Sequence, residues 1–346
     1  MRSEMRKWAF TVLVVVCGLL AMGCSARNAS PPALDPSKDL TGWVFYGSDI
    51  WNGSTDGPCA YAKTHARQSI TVGPDGSLYF VDDRGLRRMS PDCELSTVEA
   101  TVGKMLISSV AFDAAGNRYE AVRYGNLNSD SYTVRRVSLD GNVTLLVGVA
   151  CSPHADTCQA VPPGDPIPGR PEFPSFKGVK LLTVDGDSLL FVSSESSSDG
   201  NEQHLNRLRP DGSVGTVIEL PASVGGIEAV AVDSAGTIYV ADHKAGVIRI
   251  PEGGTGTVIR AGDPGGCLAI DARDRLWFRP EDEARGFEVL EDGKRTALRH
   301  FTWPDDRGDP GNRRCGGMAF RANGNLVILE MGGDGEIFFV DVWNTK

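Results

Sequence analysis

The residues with chemical reach in this chain are five histidines, eight cysteines and a set of carboxylates that flank apolar runs. Two groups of positions recur beside those runs. Gln68, Ser108, Lys180, Glu228, Gly266 and Gly316 each stand just before a run of alternating apolar residues. Asp82, Asp242 and Glu330 stand at the ends of the runs that follow, and His243 comes next after Asp242. Lys180 and Glu228 could form an ion pair or a site for a charged ligand. Glu228 with Asp82, Asp242 and Glu330 could instead hold a hard divalent cation such as Ca²⁺, which prefers several oxygen ligands. Glu228 and Asp242 are the foremost metal candidates, and no catalytic residue can be assigned. The histidines, His65, His154, His204, His243 and His300, are dispersed, with no i, i+4 pair to make a helical metal site. G-x-S-x-G, G-x-x-x-x-G-K-[ST] and H-E-x-x-H are all absent, which removes the nucleophile elbow, the phosphate loop and the zinc-protease helix. C-x-x-C is absent too, so a zinc ribbon or a thioredoxin-like centre is not expected.

Composition narrows the class. The 346 residues carry a net charge of −10 at a pI near 5.1, the wrong sign for a general nucleic-acid binder. Glycine and proline together number 61, high for a helical protein and low for a disordered one.

The first segment reads as an address. Arg2, Arg6 and Lys7 precede an apolar run from Ala9 to Met22, too short to span a bilayer and typical of an export signal. The run ends Leu20-Ala21-Met22-Gly23-Cys24-Ser25. This resembles a bacterial lipobox, with the usual leucine displaced by one position. The resemblance implies lipidation at Cys24 and an exported protein anchored in the bacterial cell envelope, at the outer membrane or on the periplasmic side. Residues 1–23 are then a signal peptide and 24–39 a Pro/Ser-rich tether. The mature charge becomes −12, from 32 basic and 44 acidic residues. With Cys17 removed and Cys24 lipidated, Cys59, Cys93, Cys151, Cys158, Cys267 and Cys315 remain for disulfides, with 15 connectivities open. Cys151 and Cys158 are close enough in sequence to pair directly.

The body, residues 40–346, repeats itself. Six segments share an apolar run, a polar turn and a second apolar run, as in SITVGPDGSLYFV from Ser69, SVAFDAAGNRYEA from Ser109 and AVAVDSAGTIYVAD from Ala229. Period-two alternation around D-x-x-G predicts hairpins. The turns recur at spacings of 40, 72, 48, 38 and 50 residues, the period of a four-stranded propeller blade. The largest spacing contains a Pro-rich insertion at 149–177 with seven prolines.

VDSAGTIYVAD (Val232–Asp242) followed by GVIRI (Gly246–Ile250) resembles an NHL-type repeat, and GPDGSLYFVD (Gly73–Asp82) is similar. The resemblance covers about 69–342 and implies an all-β, six-bladed propeller of four-stranded antiparallel blades. The last blade supplies three strands only, so residues 40–66 are expected to close the ring, through Trp43-Val44-Phe45 or Cys59-Ala60-Tyr61. On such a ring, strand-one/two and three/four turns share one face. The longer stretches Tyr124–Ser131, Val149–Lys177, Ser194–Gln203, Arg279–Arg285 and His300–Arg314 share the other, and all five histidines map there. Gln68, Ser108, Lys180 and Glu228 then ring the channel mouth. Cys267 and Cys315 start adjacent innermost strands and should pair there, leaving Cys59 with Cys93 by elimination.

Two functions follow as expectations. One is a monomeric envelope lipoprotein that binds a protein or glycan through its loop-rich face. The other is an enzyme distantly similar to the gluconolactonase/regucalcin or lyase propellers, with a metal or polar site at the channel mouth. That family ligates its metal through Glu, Asn and Asp, whereas here Glu228 sits beside Lys180 and two glycines. The address is tested directly: Cys24→Ala should move the protein from the membrane to the soluble envelope fraction. Unchanged membrane association would refute lipid tethering.

Overall fold

The computed structural model describes Leu34 and residues 40–49, 53–64, 70–103, 105–124, 131–151, 158–160, 178–197, 200–217, 226–280, 286–291, 294–302, 314–331 and 336–344. All of them belong to the unit Ala33–Lys346. Among the described residues there is no helix.

Two strands precede the blades, β1 (Leu40–Asp49) and β2 (Gly57–Pro58). Blade one is β3 (Ile70–Val72), β4 (Leu78–Asp82), β5 (Gly85–Met89) and β6 (Glu94–Ala100). Blade two is β7 (Met105–Phe112), β8 (Arg118–Tyr124), β9 (Ser131–Val137) and β10 (Val143–Cys151), extended by β11 (Cys158–Ala160). Blade three is β12 (Gly178–Asp185), β13 (Ser188–Ser197), β14 (Gly200–Leu208) and β15 (Val214–Thr216). Blade four is β16 (Ile227–Val232), β17 (Ile238–Asp242), β18 (Gly246–Ile250) and β19 (Thr257–Arg260). Blade five is β20 (Leu268–Ile270), β21 (Leu276–Phe278), β22 (Gly286–Glu291) and β23 (Lys294–Thr302). Blade six has β24 (Arg314–Phe320), β25 (Leu326–Met331) and β26 (Glu336–Asn344). The six innermost strands neighbour one another in a closed cycle, β3, β7, β12, β16, β20, β24 and back to β3.

The fourth strand of blade six is β1, antiparallel to β26 from Leu40↔Asn344 to Asp49↔Glu336. Of the two expected closing segments, Trp43-Val44-Phe45 is the one used. Leu40 and Thr41 also pair in parallel with Phe301 and Thr302 of β23, so β1 joins blades five and six into one eight-stranded sheet. Cys59 instead bonds to Cys93 beside blade one, where β2 adds to the outer edge of β6. That disulfide closes a 34-residue separation, which on the chain-entropy model contributes roughly 4 kcal/mol.

Among the described residues, each blade junction holds an apolar cluster. The second strand of a blade feeds two of them. Tyr239 and Ala241 of β17 face blade five, while Ile238 and Val240 face blade three. Likewise Leu326 and Ile328 pack toward blade five, and Val327 and Leu329 toward blade one. Both faces are buried, so these strands read as continuous apolar runs rather than alternating ones. Leu34, in the stretch read as tether, is 2% exposed inside the cluster between blades five and six. Its carbonyl accepts a hydrogen bond from Arg275 Nη2. Burying such a leucine contributes about 1.5–3 kcal/mol.

The strand-one/two turns of blades two, four and five share an aspartate device. Asp113 Oδ1 accepts the Asn117 N–H at 2.8 Å, and Asp233 Oδ1 accepts the Thr237 N–H at 2.8 Å. Asp271 Oδ1 accepts the Arg275 N–H at 3.0 Å. The other carboxylate oxygen receives a polar hydrogen from an aromatic residue of strand two: Tyr119 Oη at 3.1 Å, Tyr239 Oη at 3.3 Å and Trp277 Nε1 at 2.9 Å. The turn then needs a positive φ, met by Gly236 (φ 76°) in blade four and by Asp274 (φ 59°) in blade five.

One expected loop is different. Ser194–Gln203 is not an irregular connection, because β13 and β14 stay paired out to Ser197↔Gly200. The Pro-rich insertion opens as a hairpin in which Cys151 and Cys158 are direct register partners, and their side chains lie outside the described residues. The stretches 125–130, 161–177, 281–285 and 303–313 also lie outside them.

The aspartate turns give the fold a pH dependence. Burial pushes the Asp113 carboxyl up, but hydrogen bonds from Asn117, Tyr119 and the Ala115 N–H outweigh it and hold it below the usual range. Asp75 behaves alike: burial raises it, but bonds from Arg88 and Ser77 hold it below the usual range. A lowered folded pKa contributes stability that is present above the unfolded value of about 3.9 and is lost as pH falls through the folded one. Urea midpoints should therefore drop between pH 5 and 3, and the drop should shrink in Asp113→Asn. A drop of equal size in that variant would remove the explanation. Deleting residues 40–49 should lower the melting temperature by about 10 °C or more, since a few kcal/mol are lost with β1. An unchanged melting temperature would show that β1 does not hold the ring.

Candidate functional site at the channel mouth

β16 and β17 pair with a register shift between Ile227 and Ala229, so Glu228 is the extra residue of a β-bulge. A bulge leaves one residue unpaired and re-aims its side chain. The same irregularity recurs at Ser108 in β7 and Gly316 in β24. In blade three it falls at Leu181, one residue after the expected Lys180. The Lys180 side chain, and with it the expected Lys180–Glu228 pair, lies outside the described residues, as do Gln68, His65 and His154 and the side chain of His300.

Most of the remaining candidates are spent on structure. Ser108 Oγ donates within hydrogen-bond range of Ala121 O (3.2 Å) and Val179 O (3.0 Å), bridging blades two and three. Asp82 is buried, 2.5 Å from Arg87 Nη1, and also accepts Thr64 Oγ1 and the Arg84 N–H at 2.8 Å each. Glu330 is fully buried against Arg279 of blade five. Asp242, also fully buried, takes the N–H groups of Gly226 (2.8 Å), Lys244 (3.0 Å) and Ala245 (2.7 Å). The expected oxygen set of Asp82, Asp242 and Glu330 around Glu228 is therefore replaced by three separate internal contacts. A buried carboxylate must be paired or hydrogen-bonded, and these three already are. His204 lies in the middle of β14, opposite Ser193.

Two candidates do come together, joined by a residue that the sequence reading missed. His243 Nδ1 lies 2.6 Å from Asp263 Oδ2 and 4.0 Å from Glu228 Oε1. Among the described residues, Glu228, His243 and Asp263 are the one group of three metal-capable side chains whose ligand atoms all lie within 4.8 Å of one another. Their positions are set by backbone. The His243 N–H donates to Gly226 O at 3.1 Å, and Asp242 clamps the same Gly226, so the turn carrying His243 is tied to the strand carrying Glu228. Asp263 follows β19, and its Oδ1 takes the Gly265 N–H at 2.8 Å. Gly266, with φ 74°, leaves room for Glu228: a Cβ there would stand 3.3 Å from Glu228 Oε2. Beside it the Cys267–Cys315 disulfide ties the inner strands of blades five and six, as expected. Asp263 sits in Asp-Pro-Gly-Gly, which reads as an ordinary inter-blade turn, so its sequence carried no signal of a site.

The side chains of His243 and Glu228 are 58% and 38% exposed, so the group opens to solvent. Two chemistries fit. With Nδ1–H donated to Asp263, the neutral imidazole keeps Nε2 as a proton acceptor. Alternatively Nδ1 and the two carboxylates ligate a cation. A nitrogen with two oxygens suits Zn²⁺ or Mn²⁺ better than Ca²⁺, which takes oxygen ligands. Metal bonds of about 2.0–2.2 Å would require the His243–Asp263 contact to open to roughly 3 Å or more.

No protein-family model and no curated protein matches the chain. Solved structures do. A structural-genomics protein of unknown function from Bacteroides thetaiotaomicron is 14% identical with a TM-score of 0.58, over 88% of this chain and 76% of that one. A gluconolactonase from Xanthomonas campestris is 15% identical with a TM-score of 0.52, over 92% and 99%. A virginiamycin B lyase from Staphylococcus aureus is 10% identical with a TM-score of 0.50, over 89% and 100%. At these identities the likeness shows the fold, a six-bladed β-propeller.

Proposed function

We propose that this chain is a cell-envelope lipoprotein whose propeller binds a polar partner at the channel mouth, around Glu228, His243 and Asp263. The observation that carries the reading is a contrast between polar residues at the same end of the blades. Asp82, Asp242 and Glu330 are buried and internally paired, whereas Glu228 and His243 are exposed and held in place by a framework of backbone contacts. An exposed carboxylate beside an imidazole accepts hydrogen bonds from hydroxyl groups, so of a protein and a glycan, the glycan is the better fit. Binding is read on a panel of envelope glycans. Glu228→Gln and Asp263→Asn should each weaken it about tenfold, the loss of roughly 1.4 kcal/mol expected for one polar contact. Glu228→Gln should leave stability within about 0.5 kcal/mol, as surface changes do. Asp242→Ala should instead cost roughly 2–4 kcal/mol in urea unfolding, because buried N–H groups lose their acceptor. Failure of every glycan to bind would remove the glycan reading.

A second reading is favoured by the ligand spacing of the same three side chains: a divalent-cation-dependent hydrolase or lyase. The gluconolactonase and the virginiamycin B lyase that share the fold are enzymes, yet a shared fold does not carry chemistry with it. Titration with Zn²⁺, Mn²⁺ and Ca²⁺ tests this reading. One equivalent of Zn²⁺ or Mn²⁺ should bind, and Glu228→Gln should lower its affinity at least tenfold. Absence of bound metal together with absence of lactone hydrolysis would sink it.

A further inference from the structure

Leu34 decides which face of the propeller the N-terminal chain leaves from. It is buried between blades five and six, and its carbonyl is held by Arg275. Arg275 is buried too, with Nε 2.7 Å from Asp271 Oδ2. Asp271 opens the hairpin between β20 and β21, and Trp277, bonded to the same carboxylate, meets Phe320 at the end of β24. All of these lie at the short-turn end of the blades. Glu228, His243 and Asp263 lie at the other end, where β16 begins, where β17 turns into β18 and where β19 passes to β20. The origin of the tether and the candidate site are therefore on opposite faces.

The length of the tether makes this separation consequential. Cys24 precedes Leu34 by ten residues, a span of at most roughly 35 Å when fully extended. The nine-residue strand β26 is by itself about 30 Å long. A lipid at Cys24 reached from the short-turn face has almost no length left after climbing the outer edge of a blade. We propose that the propeller stands on its membrane with the short-turn face down and the channel mouth turned away. The site then serves ligands that arrive through the aqueous compartment, such as glycan strands or soluble partners, and not lipids of the anchoring bilayer. This orientation rests on the lipid anchor proposed above.

Two single-cysteine labels test it on the lipidated full chain in vesicles. Asp211→Cys places a fluorophore on the short-turn face, between β14 and β15. Lys244→Cys places one at the mouth, between β17 and β18. Both positions are exposed and neither belongs to the candidate site. Quenching by nitroxide-headgroup lipids should be several-fold stronger at residue 211 than at residue 244. Leu34→Ser, which frees the start of the tether, should narrow that difference. Equal or reversed quenching in the otherwise unaltered chain overturns the orientation while leaving the anchor intact. A chain that does not partition into vesicles at all, behaving like Cys24→Ala, removes the anchor and the orientation with it.

Discussion

A propeller is stable only as a closed ring, and in this chain closure depends on one strand that is out of sequence order. Blade six has three strands of its own, so β26 would be left with an unpaired edge. The backbone groups of that edge need partners or water, and an open edge invites pairing with another chain. β1 fills the position and also touches β23, so a strand from the N-terminal side joins the last two blades. Chain on both sides of β1 is secured as well. Leu34 and Arg275 hold it on one side, and the Cys59–Cys93 bond holds it to blade one on the other. The joint that is made last in a ring is thus fixed by hydrogen bonds, apolar burial and a covalent bond together.

At the other joints the chain runs continuously from one blade into the next, and their uniformity explains the repeat. Every junction must bury the facing sides of two twisted sheets, which puts apolar residues on both faces of each second strand. Every hairpin must reverse within a few residues, and in blades two, four and five an aspartate sits under the turn. Where the device is altered the substitute follows the same physics. Asp274 adopts the positive φ that glycine supplies elsewhere, and Trp277 gives Asp271 the polar hydrogen that tyrosine gives in other blades.

That physics also marks the limits of the sequence. The blade count, the hairpins and closure from the N-terminal side were legible, because burial and turn geometry act on residue type locally. The pairing of Cys267 with Cys315 followed from placing both on adjacent inner strands. The candidate site was only half legible. Glu228 and His243 stood out as polar residues beside apolar runs, but Asp263 reaches them from a loop twenty residues further on. No periodicity encodes that contact, since it arises from where one blade hands over to the next. The bulge at Leu181 was hidden for a related reason: an extra residue in one strand shifts the register without changing the apolar pattern.

Acidic residues at the same end of the blades meet opposite fates, and burial is what separates them. A carboxylate removed from water is tolerated only when its charge is paired or hydrogen-bonded. Asp82 with Arg87, Glu330 with Arg279, and Asp242 with three backbone N–H groups satisfy that condition inside the protein. The same condition leaves them little capacity for a ligand. Glu228 escapes it because the bulge lifts it toward the exposed rim, and Gly266 withholds the Cβ that would crowd it. Asp242 links the two outcomes: by clamping Gly226 and the 243–245 turn, a buried and wholly structural acid sets the spacing between the exposed groups that can act.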